Sequence, residues 1–144
     1  MRKIRIVVLI ISVLLFGCQG NSKKVSLRYF VGNIETIELL CDTNISVADE
    51  WKVLYVLSDS EIDAFVDVLC NLNIYKHWSP SGHWGHIFIR ISYLSGDQEI
   101  FGTGAIEYIS ATGESNFDDW HYIYYYDMYD LFVKYVSQDE LPSL

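Results

Sequence analysis

The chain has 144 residues, with 19 acidic and ten basic side chains and a formal net charge of −9 at pH 7. This length is enough for one domain with one hydrophobic core, and nothing in the sequence marks a second domain. The acidic balance argues against nucleic acid as a partner, because nucleic-acid phosphates are neutralised by lysine and arginine.

The beginning of the chain combines basic residues with an apolar run. Arg2, Lys3 and Arg5 precede eleven predominantly apolar residues from Ile6 to Phe16. This order is typical of a secretory signal peptide. Eleven residues are too few to cross a bilayer as a helix. The sequence therefore predicts export rather than a membrane-spanning segment.

The end of the apolar run carries a second signal. The segment Leu15-Phe16-Gly17-Cys18 resembles the lipobox of bacterial lipoproteins, a family of export signals in which the cysteine is lipidated and becomes the first residue of the mature chain. The resemblance implies a signal peptide over residues 1–17 and an acylated Cys18. It also implies a location at the cell membrane or outer membrane, with the domain on the extracytoplasmic side. Several acyl chains would hold the protein there, since one chain alone binds only marginally.

Removal of residues 1–17 would leave 127 residues and would take away three of the ten basic side chains and no acid, so the net charge would change from −9 to −12. We expect residues 18–24 to be the lipidated cysteine and a polar tether, and residues 25–144 to be a single globular domain. The six tether residues after Cys18 reach at most about 20 Å. The acidic surface would attract a cationic protein partner, or would serve solubility alone.

Two strands and a helix are predicted in the first half of the domain. Branched apolar residues predict strands over residues 34–41 and 52–57. A helix is predicted over residues 59–72, because Ser58 and Glu61 form a capping-box pattern. Its apolar positions follow helical spacing on one face and are Ile62, Phe65, Val66, Leu69 and Leu72. Asp59, Asp63 and Asp67 lie on the other face, where we expect them to be solvated.

Strands dominate the second half of the prediction. Apolar residues alternate with others over residues 86–94, which predicts a half-buried strand. Returning strands are predicted over residues 99–101 and 105–109, a last strand over residues 120–125, and a short closing helix around Met128 and Phe132. These elements favour an α+β domain, with a small, mainly antiparallel sheet and one long amphipathic helix packed on one face. In outline this order resembles cystatin-like folds.

Two cysteines remain in the predicted domain. Cys41 ends a predicted strand and Cys70 lies near the end of the predicted helix. Export to an oxidising compartment would permit a disulfide between them. The alternative, which these positions favour, is two buried free thiols.

Three of the four histidines lie in one segment, residues 77–86. Imidazole is a common ligand of transition metals, and His83 and His86 are the candidates for binding one ion. A third ligand would come from His77, His121 or Asp118. The alternative is that these are exposed loop histidines without a metal.

Large aromatic residues mark a candidate binding surface in the same region. The same segment contributes His77, Trp78, His83 and Trp84 to this candidate surface. Trp120, Tyr122 and Tyr124 would share one face of the last strand and lie beside it. Such rings form interfaces or carbohydrate platforms. Core packing is the alternative for all of them.

These features lead to three functional hypotheses. The first is a membrane-anchored, non-enzymatic lipoprotein that binds a protein or another ligand. The second is an inhibitor or immunity-type protein directed against a cationic exported enzyme. The third is a small histidine- or metal-dependent hydrolase, although the sequence contains no GxSxG, HExxH or P-loop motif. No cofactor is predicted.

Overall fold

The computed structural model describes residues 23–42, 51–79, 81–82 and 85–142. Within these residues nine strands form two antiparallel sheets, and two short α-helices accompany them. The elements are β1 (Lys23–Lys24), β2 (Ile34–Asp42), β3 (Trp51–Val56), α1 (Asp59–Leu69), β4 (Asn73–Lys76), β5 (Ile87–Tyr93), β6 (Gln98–Gly102), β7 (Ile106–Ile109), β8 (Ser115–Asp118), β9 (His121–Ile123) and α2 (Tyr125–Phe132). One sheet has the strand order β3-β2-β5-β6-β7-β8 and the other has the order β1-β4-β9.

The prediction of a small sheet covered by one long amphipathic helix is wrong, and so is the cystatin-like outline. The domain is mostly antiparallel β-sheet, with six strands in one sheet and three in the other. Helix α1 has 11 residues and α2 has eight. Five of the nine strands have four residues or fewer. Three of these five, β1, β4 and β8, are too short to show a clear period-two pattern and were not predicted.

Helix α1 begins where the sequence predicts and ends earlier. The Glu61 carboxylate accepts hydrogen bonds from the backbone N–H and the hydroxyl of Ser58, at 2.8 and 2.7 Å. At the other end the Leu72 carbonyl accepts the Val25 N–H at 3.0 Å. Leu72 thus contacts the chain next to β1, and the chain continues into β4 instead of another helical turn.

The main core joins the two helices to the six-stranded sheet. The apolar face of α1 is buried as helical spacing predicts, at Ile62, Phe65, Val66 and Leu69. Met128, Leu131 and Phe132 bring α2 into the same core. The alternating isoleucines of β5 are fully buried against them, at Ile87, Ile89 and Ile91.

Strand β5 is buried on both sides over part of its length. Phe88 faces away from the main core, yet it is only 1% exposed and packs with Leu40 and Ile100 in a second cluster. The Trp51 ring meets Phe88 edge-on, with 4.9 Å between centroids. This burial on the second face differs from the half-exposed strand that the alternation predicts, because side chains of the neighbouring strands and the Trp51 ring cover Phe88.

Buried acids fasten the first described segment to the sheet. Asp97 and Glu99 are 7% and 8% exposed. The Tyr29 hydroxyl donates a hydrogen bond to Asp97, and the Tyr93 hydroxyl donates one to Glu99. The backbone N–H of Arg28 also donates a hydrogen bond to the Glu99 carboxylate, at 3.1 Å. These hydrogen bonds satisfy the two buried carboxylates. They hold residues 28–29 against the beginning of β6.

We expect Asp97 to make the fold sensitive to acid. Its pKa is lowered to about 2, first by the Tyr29 hydroxyl and then by the Ser95 hydroxyl and the Ala111 N–H. In the unfolded chain the pKa of an aspartate is about 3.9. A lowered folded-state pKa stabilises the fold above that value, and the stabilisation is lost as the pH falls through about 2.

The variant Asp97→Asn should therefore lose less thermal stability than the native protein between about pH 4 and pH 2. Melting temperatures measured across that range test this expectation. Asp139→Asn, which changes an exposed acid in the turn Gln138–Glu140, is the matched control and should follow the native curve. Parallel curves for the native protein and Asp97→Asn would contradict the role of Asp97.

Both cysteines of the described domain are free thiols. Cys41 is buried and Cys70 is partly buried, and no disulfide joins them. Burial raises the pKa of each thiol, so both favour the unreactive protonated form.

None of the helices in the described ranges has the length and apolar character needed to span a membrane.

Candidate binding surface

The small sheet decides which aromatic residues face outward. Strands β4 and β9 pair antiparallel, with Ile74 opposite Ile123 and Tyr75 opposite Tyr122. Ile123 is fully buried, and Ile74 packs against the main core. Because side chains alternate along a strand, Tyr75 and Tyr122 lie on the opposite face of this sheet.

Five rings form a continuous series that begins on this face and continues to the first turn of α2. We call this series the ring ladder, and its members are His77, Tyr122, Tyr75, Tyr124 and Tyr126. His77 stacks on Tyr122 with 4.0 Å between centroids and 19° between ring planes. The next centroid distances are 5.9 Å from Tyr122 to Tyr75, 5.9 Å from Tyr75 to Tyr124 and 5.6 Å from Tyr124 to Tyr126. These distances are typical of aromatic pairs in contact.

The ring ladder is open to solvent at one end. Tyr124 and Tyr126 are 46% and 57% exposed, whereas Tyr75, Tyr122 and His77 are partly buried. Packing of each ring against the next restricts its rotamers before any partner arrives. The surface is therefore preorganised, with its polar tyrosine hydroxyls available for hydrogen bonds.

Two tryptophans adjoin the ring ladder. Trp78, next to His77 in the chain, is fully exposed. Trp120 is 42% exposed, and the Lys76 ammonium lies 5.7 Å from the centroid of one of its rings. The backbone N–H of His77 donates a hydrogen bond to the Trp120 carbonyl at 2.8 Å. This bond joins the chain after β4 to the chain before β9.

The loop after β4 is held by hydrogen bonds to two other segments. The Gly104 carbonyl accepts the Ser81 hydroxyl at 2.5 Å and lies 2.9 Å from His77 Nε2. A carbonyl only accepts, so His77 carries its proton on Nε2 in this arrangement. The Ser81 N–H also donates to the Asp119 carbonyl at 2.9 Å. His77 is thus positioned as a packing and hydrogen-bonding residue beside Tyr122.

Gly85 fits where another residue would not, at the entry to β5. Its φ is +96°, and a Cβ there would lie 2.8 Å from the Gly104 backbone nitrogen. Both the positive φ and the close approach require glycine. The histidine-rich segment is therefore tied closely to the turn between β6 and β7.

The predicted metal ligands do not assemble among the described residues. His77 Nε2 contacts a carbonyl, and His121 Nδ1 lies 2.8 Å from the Asp118 carboxylate. Within the described ranges no group of three histidine, cysteine or acidic side chains is placed to hold a metal ion. His83 lies outside those ranges, so the pair of His83 and His86 stays a prediction, as does the hydrolase hypothesis.

The structure brings together some of the predicted binding residues and adds two. Tyr122, Tyr124 and His77 belong to the ring ladder, Trp78 and Trp120 adjoin it, and Trp84 lies outside the described residues. Sequence reasoning missed Tyr75 and Tyr126. The signal for Tyr75 was its spacing of two residues from His77, which places both rings on one face of an extended chain.

No protein-family model, curated protein or solved structure matches this chain.

Proposed function

We propose that the protein is an exported, lipid-anchored binding domain without enzymatic activity, and that it recognises a protein partner through the ring ladder. The observation that carries the proposal is the series of five contacting rings that ends in two exposed tyrosines. Aromatic side chains provide most of the binding energy in many protein interfaces. A group of exposed rings at one place favours recognition over core packing.

The path of the chain supports a position of this surface near the proposed anchor. Strand β1 pairs with β4, with Lys23 opposite Ile74 and Lys24 opposite Asn73. Lys23 follows Cys18 by five residues, a span of at most about 18 Å. The strand that pairs with β1 also carries Tyr75 of the ring ladder. An acylated Cys18 would therefore hold the ladder close to the membrane, where a membrane-bound partner would meet it.

Photo-cross-linking in intact cells tests the proposal. A photoreactive amino acid in place of Ser79, which is exposed beside Trp78, should give one discrete adduct with another protein. The same probe in place of Thr112, exposed in the turn before β8, is the matched control and should give none.

Removal of two rings should abolish that adduct. With Tyr124→Ala and Tyr126→Ala added to the Ser79 probe, we expect the adduct to fall by about tenfold or more, because truncated interface aromatics each commonly cost over 1 kcal/mol. An adduct of unchanged intensity, or equal adducts from both probe positions, would contradict a partner site on the ring ladder.

A further inference from the structure

A second surface lies apart from the ring ladder, around the beginning of α1. An open cleft of about 350 Å³ lies between the turn Val31–Asn33, the first turns of α1 and Leu94. Apolar side chains of Val31, Ile62 and Leu94 line it. Leu94 is 67% exposed, and Phe30, next to this turn in the chain, is 87% exposed. The cleft and its surroundings therefore present open apolar side chains to solvent.

Three carboxylates line the same cleft, those of Glu35, Asp59 and Asp63. Among the residues that the structure describes, none of the three makes a side-chain hydrogen bond or an ion pair. The cleft lining contains no lysine or arginine. The result is a cleft with mixed apolar and acidic lining and no lysine or arginine in that lining.

Elsewhere in the domain, basic side chains pair with acids or lie over an aromatic ring. Arg90 pairs with Glu38 at 2.5 Å, and Lys52 lies 3.8 Å from Glu140. The Arg28 guanidinium lies 3.6 Å above the Tyr108 ring. These contacts engage three of the few basic side chains of the domain away from the cleft. The carboxylates of the cleft could therefore pair with a cation from another molecule.

Helix stability explains only part of this charge. Asp59 lies in the first turn of α1, where a negative charge complements the helix dipole. Asp63 lies one turn further, four residues from both Asp59 and Asp67. Like charges at this spacing destabilise a helix. The charge of Asp63, between Asp59 and Asp67, therefore destabilises α1, and Asp63 is one of the residues that line the cleft.

We propose that this cleft docks a segment of a partner protein that carries a lysine or arginine flanked by apolar side chains. The cationic head lies between the carboxylates of Glu35 and Asp63, and its hydrocarbon stem packs on the exposed Leu94 side chain. The neighbouring apolar side chains of the partner cover Val31 and Leu94. Charge complementarity selects a basic segment, and the open apolar lining selects one with hydrophobic neighbours. This inference goes beyond the proposed function and does not depend on the ring ladder.

Binding of a fluorescent peptide of alternating leucine and lysine to the full-length protein in neutral detergent tests the proposal. Fluorescence anisotropy at physiological ionic strength should show saturable binding. Combining Glu35→Gln with Asp63→Asn should raise Kd about tenfold, which corresponds to about 1.4 kcal/mol. Combining Asp67→Asn with Asp139→Asn removes the same two charges outside the cleft lining and should change Kd less than about twofold.

Two further variants distinguish binding in the cleft from binding at the ring ladder. Leu94→Ala should weaken binding, because it removes apolar lining, and Trp78→Ala should leave binding unchanged. Equal effects of the Asp67/Asp139 double variant and the Glu35/Asp63 double variant would show attraction by net charge alone and would overturn the proposal. Absence of saturable binding, or equally tight binding of a lysine peptide without leucine, would also overturn it. None of these outcomes bears on the cross-linking test of the ring ladder.

Discussion

Phe65→Ala is expected to lower the free energy of unfolding by about 3–5 kcal/mol. Phe65 is fully buried in the middle of α1, and its ring meets the Tyr135 ring edge-on with 5.6 Å between centroids. Its removal leaves a cavity where α1 packs on the main core, and the surrounding strands restrict collapse into that space. Since native domains are stable by only about 5–15 kcal/mol, much of this domain should unfold.

Urea unfolding of the detergent-solubilised protein, followed by tryptophan fluorescence, measures this effect. Asp63→Ala is the control on the same helix, because Asp63 is exposed and a surface substitution changes stability by no more than about 0.5 kcal/mol. A larger loss for Asp63→Ala than for Phe65→Ala would mean that the acidic face of α1, not its apolar face, holds the helix in place.

Cys18→Ser is expected to move the protein from the detergent phase to the aqueous phase in a phase-partition experiment. Cys18 lies outside the described residues, and the expectation comes from its place at the end of the lipobox-like segment. A serine would not carry the acyl chains that supply most of the membrane affinity. The effect should be near complete, because an acidic domain gains nothing from anionic lipid headgroups.

Cys70→Ser is the matched control, since it removes another thiol and leaves Cys18 in place. It should stay in the detergent phase with the native protein. Mass spectrometry of the native protein should show acylation at Cys18. A native protein without lipid, or a Cys18→Ser protein that is cleaved and still membrane-bound, would contradict the proposed lipid anchor.

Local patterns predicted the longer elements because those elements satisfy themselves with near neighbours. The capping residues Ser58 and Glu61 lie three positions apart, and the alternation over residues 87–93 extends through a whole strand. Strands β2, β3, β6 and β7 were also predicted to within a few residues. Such periodic signals survive whichever way the chain packs.

The candidate surface was predictable only in part. Tyr122 and Tyr124 have the same parity along the chain, so their common face followed from alternation. Whether that face was outside depended on Ile123, whose burial in the main core comes from the pairing of β9 with β4. The contact between Tyr75 and Tyr122 joins residues 47 positions apart, beyond the reach of any local pattern.

By itself, the sequence determined the charge of the protein, the signal-like beginning, the start of α1 and the existence of the apolar strands, because composition and near-neighbour periodicity specify these properties. Tertiary structure alone decided the two-sheet architecture, the short strands β1, β4 and β8, and the burial of Asp97 and Glu99. Strands β1 and β4 gain their hydrogen bonds only from partners distant in the chain. Strand β8 pairs with the adjacent β7, but its four residues contain one apolar side chain and so give no strand pattern. A buried carboxylate likewise becomes favourable only when the fold brings donors such as Tyr29 and Tyr93 to it.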